Sequence, residues 1–339
     1  MKKYLGVYLR GLAMGAADVV PGVSGGTVAF ITGIYDTLLE SISNINLSLL
    51  NLFKQEGFTA VWKKINGSFL LSLFAGIITS ILSLAKLLHY LMIHHPIPLW
   101  AFFFGLITAS IVYVGKEIKS WNFFSIAGFI LGTGFVVYLS IMPPFGSSNS
   151  WWYLVLCGAI ASCAMILPGI SGSFILLLLG AYSVIISAIS NFFSDLEALK
   201  IIVLVGIGIV IGLAGFSRLL HYLLKKFHNT TVAILTGFLL GSLWKIWPWK
   251  ITSKIYVKDE GIKSLNELTS GYQSLTAYLQ QNPNLEDIKP YQESNILPDT
   301  YEILNQMKSD IGLAIVFAVL GFGLIFGTEF VAKKITGRH

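Results

Sequence analysis

The chain has 339 residues, 55% hydrophobic and only 12% charged, with a mean hydropathy of +0.73. Soluble domains carry about 25% charged residues, so the composition excludes an ordinary soluble protein and makes a lipid bilayer the solvent. The net charge of +6 comes from short basic clusters beside apolar segments, the pattern of cytoplasmic membrane loops and not of a nucleic-acid surface. Cys157 and Cys163 share one apolar segment without metal or redox spacing, which excludes a disulfide framework and a zinc cluster. No metal or cofactor is expected.

In chain order, Lys2 and Lys3 lead an apolar stretch that imitates a signal peptide. Arg10 interrupts it and no convincing small-residue cleavage site follows, so the N-terminus reads as mature protein. Apolar runs then place segments at about 4–44 (interrupted), 68–93, 97–115, 121–142, 150–192 (interrupted), 200–224, 230–249 and 310–332. Residues of about 250–308 are too polar to span and read as an aqueous loop, helical in part.

The chain repeats itself. DVVPGVSGGT (Asp18 to Thr27) returns as MILPGISGSF (Met165 to Phe174), Pro21 matching Pro168 at an offset of 147. Gly33 and Gly180, Tyr35 and Tyr182, Ser43 and Ser190, and Asn44 and Asn191 match at the same offset. KLLHYL from Lys86 returns as RLLHYL from Arg218, an offset of 132 that also relates Ala101 to Ala233 and Gly105 to Gly237. Two dissimilar motifs recurring in one order indicate duplication.

Each half is one interrupted segment followed by three spans. An interrupted segment of about 40 residues holds two helices of roughly 20 residues or fewer with PGxSG at the turn, a hairpin that enters and leaves on one side. Three spans separate the hairpins, so the second starts from the opposite face. The predicted fold is an all-α polytopic membrane protein of two inverted repeats, 1–142 and 143–339, each a broken, re-entrant hairpin plus three transmembrane helices. Basic residues support this arrangement. With both termini cytoplasmic, Lys54, Lys63, Lys64, Lys116, Lys119, Lys225, Lys226, Lys333 and Lys334 fall inside, whereas the short outer loops hold one Lys. The 250–308 loop falls outside.

In PGxSG, Pro21 and Pro168 remove a backbone donor, Gly22 and Gly169 permit unusual backbone angles, and the serines cap the next helix. Irregular backbone in hydrocarbon is tolerated only when buried in protein or facing a watery cavity, and two such tips from opposite faces can meet near the midplane. Helix N-termini favour anions, and inverted repeats with broken helices are transporter architecture. Ser24, Gly25, Gly26, Thr27, Ser171, Gly172 and Ser173 are therefore the expected phosphate cradle. The plainer reading is close helix packing by small residues.

Charges inside a membrane mark function. Lys86 and Arg218 are repeat mates, able to pair a phosphate or else to snorkel at span ends. Asp18 has no acidic mate, since Met165 holds the equivalent position, and either couples transport to a proton or cation or caps the turn. Glu329 reads as interfacial, and His89 and His221 as packing residues.

DVVPGVSGGT followed by GIYDTLLESI, and MILPGISGSF followed by GAY, resemble the polyprenyl-phosphate translocase family, long catalogued only as a domain of unknown function. The resemblance covers nearly the whole chain except the 250–308 loop. It implies a bacterial plasma-membrane flippase that returns undecaprenyl phosphate from the outer to the inner leaflet for reuse in peptidoglycan and other wall polymers. It also implies functional positions at Asp18, Pro21, Ser24, Gly25, Gly26, Pro168, Ser171, Gly172 and Arg218. The expected partners are the polyprenyl-phosphate lipid, membrane lipids and a coupling proton or cation, with no nucleic acid. Two other readings use the same residues: a small-anion channel or exchanger, and a membrane lipid-phosphate enzyme, which lacks a histidine beside the Ser-Gly motifs.

Overall fold

The computed structural model describes residues 2–19, 24–46, 48–142, 150–190, 196–257, 261–265, 275, 278–279, 288–305 and 307–336. In order these form α1 (Lys2–Val19), α2 (Gly25–Ile31), α3 (Tyr35–Ser43), α4 (Ser48–Lys64), α5 (Gly67–His94), α6 (Pro96–Gly115), α7 (Phe123–Ile141), α8 (Trp151–Ile166), α9 (Gly172–Leu178), α10 (Tyr182–Ser190), α11 (Leu196–Lys226) and α12 (His228–Ser242). Strands β1 (Lys250–Val257), β2 (Gly261–Ser264) and β3 (Ile288–Asn295) follow, then α13 (Pro298–Asn305) and α14 (Ile311–Thr336).

Element boundaries repeat as the motifs do. Helices α9 and α10 match α2 and α3 residue for residue at the 147-residue offset, and α11 ends and α12 begins 132 residues after α5 ends and α6 begins. Each interrupted segment nevertheless contains three helices, one more than expected. The extra break has a local cause. Gly33 (φ 69°) and Gly180 (φ 68°) adopt the left-handed conformation that ends a helix. Around them the amides of Ile34 and Ala181 reach back to the carbonyls of Ala29 and Leu176, while the glycine amides bond Phe30 and Leu177. Both stops are Schellman motifs.

Among the described residues, α6, α7 and α11 are long and apolar enough to cross a bilayer. The count rises to four if Ser48–Lys64 and Gly67–Ser83, bent by 49°, form one broken span; Trp151–Ile166 and Ile311–Phe326 are shorter apolar helices. Large apolar side chains face outward, including Leu82 at 77%, Phe123 at 78% and Leu196 at 83% exposure. Water would penalise such a surface, whereas hydrocarbon does not. The chain is a mostly helical, multi-pass membrane protein.

It divides into two compact units. One comprises Met1–Lys86, Tyr113–Leu139 and Pro144–Ser242. Within it α11 packs along α8 and against α3, and α1 against α2. The other comprises Leu87–Val112, Ser140–Pro143 and Leu243–His339. Its core gathers Ile97, Ala101, Trp249, Tyr301 and Ala314. The Trp247 and Trp249 indoles donate to the carbonyls of Ile296 and Ser309 at 2.9 and 2.8 Å.

The polar region is helical in part, as expected, in α13, and it also holds an antiparallel sheet of order β2-β1-β3 that the residue patterns did not indicate. Ile255 and Val257 of β1 point to one side with Ile288 of β3, and bury against Leu265 and Leu275. That two-residue alternation is a strand signal hidden by the surrounding polar residues. A second addition is α4, in a stretch read as an inner loop. It kinks at Gly57 and buries none of its residues.

Candidate functional site

The site begins with backbone accounting at two broken helices, both in the first unit. A helix end leaves several N–H or C=O groups without intrahelical partners, and Pro168 adds a missing donor beside α8. At the first tip, Pro21 and Gly22 lie outside the described residues. Ser24 follows in extended conformation as the N-cap of α2, its Oγ accepting the Gly26 amide at 3.1 Å. The Asp18 carboxylate reaches back from α1 to accept the Gly25 amide at 2.7 Å. The Thr27 amide donates to the Ser24 carbonyl at 2.9 Å. The first three amides of α2 therefore all have partners, and one partner is an anion, as the partial positive charge of a helix N-terminus favours.

At the second tip, Leu167 ends α8, Gly169 turns the chain with φ 85°, and Ser171 is the N-cap of α9. Ser171 makes no side-chain cap bond among the described residues; its hydroxyl pairs instead with that of Ser173 at 2.9 Å. Met165 takes the place of Asp18. A Cβ built on Gly25 would meet the Asp18 carboxyl, and one built on Gly172 would meet the Met165 side chain. Equivalent positions thus hold a carboxylate over one helix start and a thioether over the other.

The two tips touch. The Ser24 hydroxyl lies 3.4 Å from the carbonyls of both Met165 and Leu167, the Tyr35 hydroxyl donates to the Ile166 carbonyl at 2.9 Å, and Thr27 Oγ1 accepts the Gly169 amide at 2.9 Å. Side chains of the first hairpin thereby satisfy the backbone groups that the break at Pro168 strands in the second. Ser24, Thr27 and Tyr35 are buried to within a few per cent of completely, where an unmatched polar group is costly. Gly26 has no side chain because the place of its Cβ is taken by the carbonyls of Met165 and Ile166.

The cationic residues lie elsewhere or outside view. Arg218 is exposed and donates from Nε and Nη2 to the carbonyls of Ser43 and Ile45, both at 3.3 Å. It closes the C-terminus of α3, where a cation complements the helix dipole. Tyr35 stands at the other end of α3, about 12 Å away by helical rise. The side chains of Lys86, His89 and Glu329 lie outside the described residues. Tyr35 is the contributor that residue patterns missed: its match with Tyr182 revealed the repeat without indicating a bond across it.

A model of the VCA0040-like, undecaprenyl phosphate translocase-like family matches residues 14–264. A polyprenyl-phosphate transporter of Vibrio cholerae serotype O1 is 44% identical over 331 residues, 98% of each chain. A polyprenyl-phosphate transporter of Staphylococcus aureus is 34% identical over 254 residues, covering 71% of this chain and 85% of the relative. No solved structure matches the chain.

Proposed function

We propose that this chain, which belongs to the undecaprenyl phosphate translocase-like family, is a transporter that carries polyprenyl phosphate, undecaprenyl phosphate in particular, from the outer to the inner leaflet of the bacterial plasma membrane. The returned carrier re-enters synthesis of peptidoglycan and other wall polymers. Both termini are cytoplasmic, the 250–308 region lies outside, and the halves are inverted repeats that alternate access around the paired tips.

The observation that carries this reading is the asymmetry of the tips. Asp18 supplies an anion to the start of α2, and at the matching start of α9 the equivalent position is held by the Met165 thioether. The Ser171 and Ser173 hydroxyls, near Gly172, are the donors offered to a phosphate there. Ser24, Gly25, Gly26 and Thr27 join them when the tips part. Arg218 has five N–H donors and gives two to the carbonyls of Ser43 and Ile45; with Lys86 it meets the phosphate on its path. The prenyl tail stays in lipid while the head group crosses through a lateral opening.

Energetics requires coupling. An inside-negative potential opposes inward movement by about 2.3 kcal/mol per charge per 100 mV, and a phosphomonoester carries about 1.5 to 2 negative charges. Protonation of Asp18 removes its charge and weakens its hold on the Gly25 amide, so a proton and the substrate phosphate travel through linked steps.

Purified protein in liposomes should flip labelled undecaprenyl phosphate, faster with an imposed proton gradient, and Ser171→Ala should slow it with folding intact. Uptake of inorganic phosphate or chloride by the same liposomes without any lipid movement would replace this reading with a small-anion exchanger.

A further inference from the structure

We propose that Lys245, Lys250 and Glu293 build a separate anion site whose ligand is a phosphomonoester group. The proposal rests on the transport reading above for its biological role.

The site lies wholly within the second unit. Lys250 opens β1 and its side chain is only 7% exposed. Its Nζ has no hydrogen-bond acceptor among the described residues. It lies 4.0 Å from the centroid of the Trp100 ring and 3.8 Å from Glu293 Oε2. Lys245 donates to that same Oε2 at 3.1 Å. Two ammonium groups thus converge on one carboxylate oxygen, and the trio carries one excess positive charge.

A structural tether accounts for part of this. A cation over a tryptophan face is favourable, and Lys250 on Trp100 pins β1 beside the start of α6. It does not account for the rest. An ammonium has three N–H donors, and burying it with none of them bonded is costly. A tetrahedral phosphate has several acceptor oxygens and enough charge to serve both lysines, which a second carboxylate or a chloride does less completely. The way in is on the Lys245 side, where Lys245 and Glu293 retain 20% and 17% side-chain exposure. Glu293 occupies the lysines when no phosphate is bound and competes with it, which keeps affinity low enough for release.

The test uses the full-length protein in nanodiscs, titrated with inorganic phosphate and with geranyl phosphate, a short soluble prenyl phosphate. Lys250→Met should weaken binding about tenfold, the loss of one charge-assisted hydrogen bond. Glu293→Gln should tighten it, a gain that misfolding does not produce. Preference for geranyl phosphate identifies the lipid as the source and preference for inorganic phosphate a free ion; either upholds the anion site. Titrations unchanged by both substitutions overturn it. Lipid flipping separates the two ideas: binding that depends on Lys250 in a protein that flips nothing sinks the transport reading and leaves the site, while wild-type flipping with no such binding does the reverse.

Discussion

Thr27 and Gly169 are 142 residues apart in the chain, yet the threonine hydroxyl accepts the glycine amide at 2.9 Å. The bond joins the first turn of α2, just after the first PGxSG motif, to the second motif, and Tyr35 reinforces it through the Ile166 carbonyl. The tips are therefore one structural element built from both halves of the chain.

Removing the phenol oxygen should show what that element contributes. In Tyr35→Phe the Ile166 carbonyl loses its partner in a buried setting, and stability should fall by about 1 kcal/mol, within the range of hydrogen bonds inside membrane proteins. Thermal unfolding in nanodiscs measures the loss. An unchanged midpoint would mean that water or another donor takes the place of the phenol.

Asp18→Asn keeps an oxygen able to accept the Gly25 amide but removes the titratable group. Flipping in this variant should persist at a reduced rate and lose its response to an imposed proton gradient. Rates with and without the gradient decide it, and a full response would remove Asp18 from the coupling role.

Met165→Asp makes the second tip resemble the first. A carboxylate over Gly172 would occupy the position proposed for the phosphate, so flipping should drop by an order of magnitude or more, as loss of one charged hydrogen bond to substrate would produce. Folding, followed by size-exclusion profile and melting, should survive. Normal transport would place the phosphate elsewhere.

The sheet region should respond to pH at both ends of the scale. Burial pushes the Glu293 carboxyl up, but Lys250 and Lys245 together hold it below its ordinary value of 4.5. Its stabilising contribution is present above that value and is lost as pH falls through the lower folded one. For Lys250, burial lowers the pKa from 10.5 to about 8, against a partial upward pull from Glu293 and with Lys245 lowering it further. The cost of burying its charge is therefore fully present below about 8 and fades as pH rises toward 10.5. Hydrogen exchange of β1 and β3 should show protection falling in acid and rising through the alkaline window. Lys250→Met should abolish the alkaline rise.

Much of this protein was legible in its residues. Hydropathy marked α6, α7 and α11, which are long and apolar enough to cross, because a bilayer imposes one length scale on a span, and each duplicated motif falls where one helix gives way to the next, between Val19 and Gly25 and between Ile166 and Gly172. The Schellman stops at Gly33 and Gly180 were also within reach, since both glycines sit at the repeat offset. The strands were not, because pairing of β1 with β3 joins residues some forty apart and their short alternation is weak against a polar background.

What the sequence by itself determined is where the backbone must break, because Pro and Gly act on their own peptide units regardless of what surrounds them. Only the tertiary structure decided which groups satisfy the broken ends. Ser24 and Thr27 read as ligands for a phosphate, and both bond the opposite tip; Arg218 read as a phosphate cation, and it bonds the end of α3. A hydrogen-bond donor is identified by its residue type, but its partner is set by what the fold brings within 3 Å or so, and no local pattern contains that information.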